Sequence, residues 1–204
     1  MAEKRIYLAS RSPRRRELLK QIGVNFELLL LREDPRRGGD VDETPLSDES
    51  PDAYALRVAS TKAEFAARQI MQRNLPQYPV LAADTTVVLD GRILGKPADA
   101  GHAIQMVQAL SGREHQVITA VAMARREQFE TRLSVSNVQF REISEFDIRR
   151  YITSGEPLDK AGAYAIQGRA AAFITRIEGS YSGIMGLPLA ETADLLQRFG
   201  IEIL

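Results

Sequence analysis

Apolar positions along this chain switch between alternation and the three-to-four spacing of helices, and the switches mark out its elements. Residues 5–10, RIYLAS, are apolar and β-prone and predict a first strand. Ser12 and Pro13 then offer an N-cap and an N1 proline, and Leu18, Leu19 and Ile22 keep helical spacing up to Gly23. A second strand is expected at 25–31. The stretch 32–50, with Gly38, Gly39 and Pro45, is too charged to be core and reads as a loop. Ser50–Pro51–Asp52 repeats the cap signature and opens a long amphipathic helix to Arg73. Residues 79–89, the Asp90–Gly91 pair and residues 92–94 predict a hairpin. A helix from Asp99 to Leu110 ends at Gly112, and two β-rich stretches follow at 115–125 and 129–141. Ser144 caps a short helix through Tyr151. A glycine-rich segment (159–168), a strand (171–178), a second glycine-rich loop (179–188) and a helix (188–199) come last. Strands and helices interleave with hairpins included, so the class is α/β with a mixed sheet.

Composition narrows the partners. The 204 residues predict one domain, 1–204, large enough to bury a core without covalent staples. Cysteine is absent, which excludes thiolate catalysis, Cys-ligated metals and disulfides. No apolar run approaches the ~20 residues of a membrane span, and the N-terminus lacks a signal-type segment, so a cytoplasmic setting without membrane contact is expected. Lys and Arg number 27 against 27 Asp and Glu. That balance argues against non-specific nucleic-acid binding, and any anion must be met by charge gathered locally.

Several residues look chemically employed. In Ser10-Arg11-Ser12-Pro13-Arg14-Arg15-Arg16, cations crowd the first turn of a helix, where they oppose the macrodipole. Either this is a solvated basic face, or the hydroxyls, free N–H groups and guanidinium forks form a phosphate cradle. Asp84 lies in an apolar strand and needs a metal, a lysine or hydrogen-bond donors beside it; a structural salt bridge is the plainer option. Gly91 to Pro97 is not a P-loop, because its glycines are too close and Pro97 replaces the Mg²⁺-holding hydroxyl. Pro97 does keep Lys96 extended. Lys62 adjoins the apolar stripe of the long helix, where snorkelling is the simple account. Asp42 and Glu43 are either hard-cation ligands or solvated charges. Glycines bracket Gln167 and the 180–185 segment, serving tight turns or close approach to a ligand. Tyr181 spoils a nucleophile elbow at Ser182, and His102 and His115 lack metal-ligand spacing.

Taken in order, LASRSPRRRELL (8–19), VDET (41–44), the Lys62 helix, AADTTVVLDGRILGKP (82–97), LDKAGAYAIQG (158–168) and GSYSGIMGLPLAET (179–192) resemble the Maf family of nucleoside triphosphate pyrophosphatases. The resemblance implies an elongated mixed β-sheet with flanking helices and two lobes around a cleft, as in the inosine triphosphate pyrophosphatase-like group. It implies hydrolysis between the α- and β-phosphates with a divalent cation, Mg²⁺ or Mn²⁺, and a homodimer. Carried over residue by residue, Asp84 is the proton acceptor, and Glu43 and Asp84 are the metal carboxylates. Ser10, Arg14, Arg15, Lys62 and Lys96 face the triphosphate. Arg14, Thr85 and Gln167 match the signature of the dTTP/UTP branch, and the Gln167 amide can pair with a pyrimidine edge. Asp84 could equally be a metal ligand that orients the water. Two further readings stay open: the same reaction on modified or purine nucleotides, and a nucleotide-binding regulator of septum formation.

Overall fold

The structure, a computed structural model, describes residues 5–32 and 40–203. Among them the strands are β1 (Arg5–Leu8), β2 (Asn25–Leu28), β3 (Val80–Leu89), β4 (Arg92–Leu94), β5 (Glu114–Arg125), β6 (Gln128–Phe140) and β7 (Ile174–Glu178). The helices are α1 (Pro13–Gln21), α2 (Pro51–Gln72), α3 (Ala100–Leu110), α4 (Glu145–Thr153), α5 (Tyr181–Ile184) and α6 (Leu189–Arg198). The part of the expected charged loop at 33–39, with Gly38 and Gly39, lies outside the described residues.

Helix starts follow the caps read from the sequence. The side chains of Ser12, Ser50, Asp99 and Ser144 each accept a hydrogen bond from the backbone N–H three residues on, which satisfies one orphan donor of the first turn. Three elements differ from expectation. β2 stops at Leu28, because β1, its partner, ends at Leu8. Residues 169–173 form a 3₁₀ turn rather than the start of β7; the alanine run there has little β preference. The loop 179–188 contains α5, a single turn capped by Ser180, whose hydroxyl accepts from Gly183 N.

The strands form one mixed sheet in the order β2-β1-β3-β5-β6-β7, with β4 on β3. β1 runs parallel to β2 and β3, whereas every other pairing is antiparallel. α2 covers one face of β3 and β5 through Ala55, Ala59, Ala63 and Ala66, packed on Ala82, Ala120 and Ala122. Small side chains on both surfaces let helix and sheet approach closely. α1 and α6 cover the other face through Leu18, Leu19, Leu195, Leu196 and Phe199. α3 and α4 close the far half with Val107, Leu110, Ile148 and Tyr151 on Val87, Val138 and Phe140. No helix among the described residues is long and apolar enough to cross a membrane.

The sheet splits along β3. β1 pairs with it only at Val80 and Leu81, and β4 only from Val87 onward. Between them, residues 82–86 have no strand partner on that side among the described residues. The split lies where the chain leaves β1 for α1, a topological switch point of the kind that hosts ligands in α/β sheets.

Candidate functional site

A cleft of roughly 620 Å³ opens at this split. Its walls bring together Ser10, Arg14, Arg15, Glu43, Lys62, Asp84, Thr85 and Lys96, eight of the nine residues singled out above. Gln167 is the ninth. It is exposed, at the centre of a turn closed by Gly168 N donating to Ala165 O, and it does not line the cleft, although Ala165 and Ile166 do. Six cationic side chains (Arg11, Arg14, Arg15, Lys62, Lys96 and Lys160) face three carboxylates (Glu43, Asp84 and Asp159) in this cleft. A chain with no net charge has therefore concentrated positive charge at one place.

Alternation along β3 divides the chemistry. Asp84 and Thr86 face α2; Thr85 faces the opposite side. Asp84 meets Lys62, whose Nζ lies 2.8 Å from its Oδ1 and 2.9 Å from Glu43 Oε1. Only 10% of the Asp84 side chain and 14% of the Lys62 side chain are exposed, so solvent screens this pair weakly. The strand aspartate thus has the lysine partner its burial demanded. Two carboxylates converging on one ammonium also show that both can reach a single cation. Hard oxygen donors of this number suit Mg²⁺, which is commonly held by one or two carboxylates together with substrate phosphates.

Glu43 reaches the site because α2 holds its loop. Arg57 makes a bidentate pair with Glu49 (2.6 and 2.8 Å) and donates to Thr44 O at 3.0 Å. Tyr54 OH donates to Glu43 O at 3.0 Å. Burial, reinforced by the charges of Asp84 and Glu43, pushes the Tyr54 hydroxyl up to about 12, so it remains a donor. Tyr54, Val58 and Lys62 follow one another at four-residue intervals on one helix face. Asp42 turns away: its Oδ1 accepts from Thr44 N, and the hydrogen bonds from Thr44 hold its carboxyl below the usual range.

On the other side of β3, Arg15 reaches across the split. Its Nε donates to Gly186 O (2.8 Å), Nη1 to Ala83 O (2.9 Å) and Ser10 Oγ (3.2 Å), and Nη2 to Thr85 Oγ1 (3.2 Å). Ala83 O is a carbonyl that no strand takes up among the described residues, and the guanidinium satisfies it. Gly186, at φ +110°, brings the 183–186 turn to this contact; a β-carbon there would stand 3.4 Å from Thr85 Oγ1 and 3.5 Å from Arg15 Nε. Lys160 joins the opposite wall, with Nζ donating to Glu156 O at 2.7 Å and to Asp159. Burial works against the Asp159 carboxylate, but the Lys160 hydrogen bond and charge, with Arg14 behind them, outweigh it and hold the carboxyl below its usual range. The 3₁₀ turn carrying Ala161 and Gly162 docks on the Lys96 segment, where Gly162 N donates to Gly95 O.

Sequence reasoning missed Tyr54, Thr86, Asp159 and Lys160 in the lining. The Tyr54–Lys62 spacing was a usable signal. The Thr86 hydroxyl is buried without a hydrogen-bond partner beside the cleft, and nothing in the sequence marked it.

The solved structure of Ham1 from Staphylococcus aureus superposes with a TM-score of 0.48 at 18% identity, covering 96% of this chain and 97% of that one. The dTTP/UTP pyrophosphatase of Nitrosomonas europaea is 62% identical over 198 residues, 97% of this chain and 96% of that protein. The dTTP/UTP pyrophosphatase of Aromatoleum aromaticum is 56% identical over 200 residues, 98% of this chain and 97% of that protein. The family model for Maf-like proteins matches residues 5–199, a span that contains every residue of the cleft, and the chain therefore belongs to the Maf-like protein family.

Proposed function

We propose that this protein hydrolyses nucleoside triphosphates, dTTP and UTP foremost, to the monophosphate and pyrophosphate, and so clears them from the nucleotide pool. The observation that carries the reading is the Lys62–Asp84–Glu43 cluster inside a cleft with a positive excess. Similarity to proteins named dTTP/UTP pyrophosphatase supports the base assignment. The reading takes the chain as one domain, 1–204, acting in the cytoplasm on free nucleotides, with neither nucleic acid nor membrane as partner; a homodimer is a family-level expectation.

Phosphoryl chemistry asks little covalent work of the protein, and positioning with electrostatic stabilisation dominates. Arg14, Lys96 and Lys160, together with the hydroxyls of Ser10 and Thr86, bind and orient the polyanion. Arg15, largely committed to the protein, sets the wall against which it lies. Glu43 and Asp84 would hold a divalent cation, Mg²⁺ or Mn²⁺; when bound, it supplies charge neutralisation and a more acidic water. Asp84 takes the water's proton as attack proceeds at the α-phosphorus, and Lys62 keeps that carboxylate aimed. Tyr54 steadies the backbone that carries Glu43.

Base choice is assigned to Gln167, whose turn adjoins the Ala165–Ile166 wall; its amide has to swing inward to meet a pyrimidine edge. A site that pairs with O4 and N3–H discriminates strongly against cytosine, which inverts both requirements.

The test is pyrophosphate release from a panel of common and modified triphosphates with Mg²⁺ and Mn²⁺, run in ¹⁸O-water. Label in the nucleoside monophosphate supports attack at the α-phosphorus; label in orthophosphate, or a diphosphate product, overturns it. Preference for a purine or modified base would move the substrate. Binding without turnover would favour the regulatory reading. Gln167→Ala is expected to cut kcat/KM for UTP and spare CTP, whereas equal falls would confine Gln167 to supporting its turn.

A further inference from the structure

Thr119 sits in the middle of β5, fully buried, and is absent from the cleft wall. Its register partner is Thr85 on β3. The Thr119 hydroxyl lies 2.9 Å from Thr85 Oγ1 and 2.8 Å from Gly183 O. A hydroxyl carries one proton, and a backbone carbonyl can only accept. Thr119 is the donor in both contacts, its one proton shared between Gly183 O and Thr85 Oγ1. Thr85 Oγ1 in turn accepts from Arg15 Nη2 at 3.2 Å. One chain of hydrogen bonds thus joins the guanidinium, Thr85, Thr119 and Gly183 O. Gly183 O also accepts from Gly186 N at 2.8 Å, and Gly186 O accepts from Arg15 Nε, so the chain closes into a loop around the 183–186 turn.

We infer that Thr119 is a positioning residue for the reaction. It touches no substrate, and it acts by fixing the Thr85 hydroxyl and the 183–186 turn, which together hold Arg15 across the split beside Asp84. Thr85 accepts from both Thr119 and Arg15. Its part is to anchor Arg15. The turnover arm of this inference rests on the function proposed above; the geometry does not.

Thr119→Val removes the hydroxyl at nearly constant shape, and Thr119→Ser keeps it. Displacing a wall of the site by about 1 Å costs on the order of 10²-fold in rate. Steady-state hydrolysis of UTP at 25 °C is therefore expected to show kcat lowered by about 10- to 100-fold in Thr119→Val. KM should change less, the pH profile should keep its midpoint, and Thr119→Ser should recover most of the loss. A purely structural Thr119 would lower Tm and leave kcat untouched at that temperature. Wild-type kcat in a folded Thr119→Val protein, or a Ser variant as impaired as Val, overturns the inference. Should Thr119→Val not fold, Thr119→Ser and Thr119→Ala serve, since they differ only in the hydroxyl; equal kcat in that pair also overturns it.

Hydrogen exchange at the Gly186 amide, measured without nucleotide, separates this inference from the functional reading. The amide is expected to exchange about tenfold or more faster in Thr119→Val as the turn loosens. Unchanged exchange refutes the loop whatever the enzyme turns over. Faster exchange together with a wild-type protein that releases no pyrophosphate would refute the function and keep the loop.

Discussion

Replacing Asp84 by asparagine separates catalysis from stability, and the geometry gives a magnitude for each. The carboxylate oxygen is 2.8 Å from Lys62 Nζ, and the ammonium also has Glu43 at 2.9 Å. An asparagine amide oxygen keeps a hydrogen bond to Lys62, which retains Glu43 as its counter-charge. No ammonium is stranded, so the folding cost is the difference between a charged and a neutral acceptor, about 1 kcal/mol. In a protein of this size that lowers Tm by about 2–4 °C. On the roles proposed for Asp84, the chemistry loses its proton acceptor and one cation ligand, and kcat should fall at least ~10²-fold, about 2.7 kcal/mol of barrier. Lys62→Met is the opposite case. It leaves a nearly buried carboxylate without its cation, for which about 3–5 kcal/mol of stability is lost. Calorimetry and pyrophosphate-release kinetics on both variants check the pair. Near-wild-type turnover in folded Asp84→Asn refutes the role given to Asp84. A Tm loss as large as that of Lys62→Met refutes the idea that Glu43 shares the lysine.

Tyr54→Phe removes one hydrogen bond to Glu43 O and should cost about 1 kcal/mol of stability, with KM for the metal–nucleotide complex raised severalfold and kcat nearly kept. A kcat loss as deep as that of Asp84→Asn would make Tyr54 part of the chemistry. Burial pushes the His115 imidazole down to about 4, well below its ordinary value of 6.5. Below pH 6.5 the unfolded chain takes up a proton that the folded one refuses, so stability falls as pH drops towards 4, by up to roughly 3 kcal/mol. His115→Gln, which retains an acceptor for Tyr164 OH, should lack this component in urea titrations at pH 7 and pH 4.5; identical pH dependence would refute the assignment.

The sequence disclosed most where one residue's requirement had few solutions. Asp84 in an apolar strand demanded a partner, and Lys62 on an alanine-rich helix face supplies it. Ser12 and Ser50, each followed by proline, fixed two helix starts. It disclosed least where the requirement is met through space by ordinary residues. Thr119 in VITAVAMA looks like any β-branched strand residue, and its hydroxyl gains meaning only from Thr85 opposite and Gly183 above. Tyr54 and Arg57 gain theirs from a loop whose path no periodicity describes. The helix α5 was hidden because its four residues include a glycine and are too few for a period. Gln167 marks the limit of motif reading: it stands in the expected string, while its side chain is exposed beside the buried Ala165 and Ile166.

The unpaired stretch of β3 has a meaning apart from catalysis. A strand edge inside a sheet, with backbone groups on offer, is a template on which a strand of another molecule can grow. Here one edge carbonyl, Ala83 O, is taken by a guanidinium, and a carboxylate–ammonium pair stands at the next residue. Desolvating those charges under an incoming strand would cost more than the new backbone bonds return. The charged groups of the cleft therefore also guard the chain against self-association. Redesigns that make positions 15, 62 and 84 apolar would forfeit solubility along with activity, and β-rich aggregation should begin at residues 82–86.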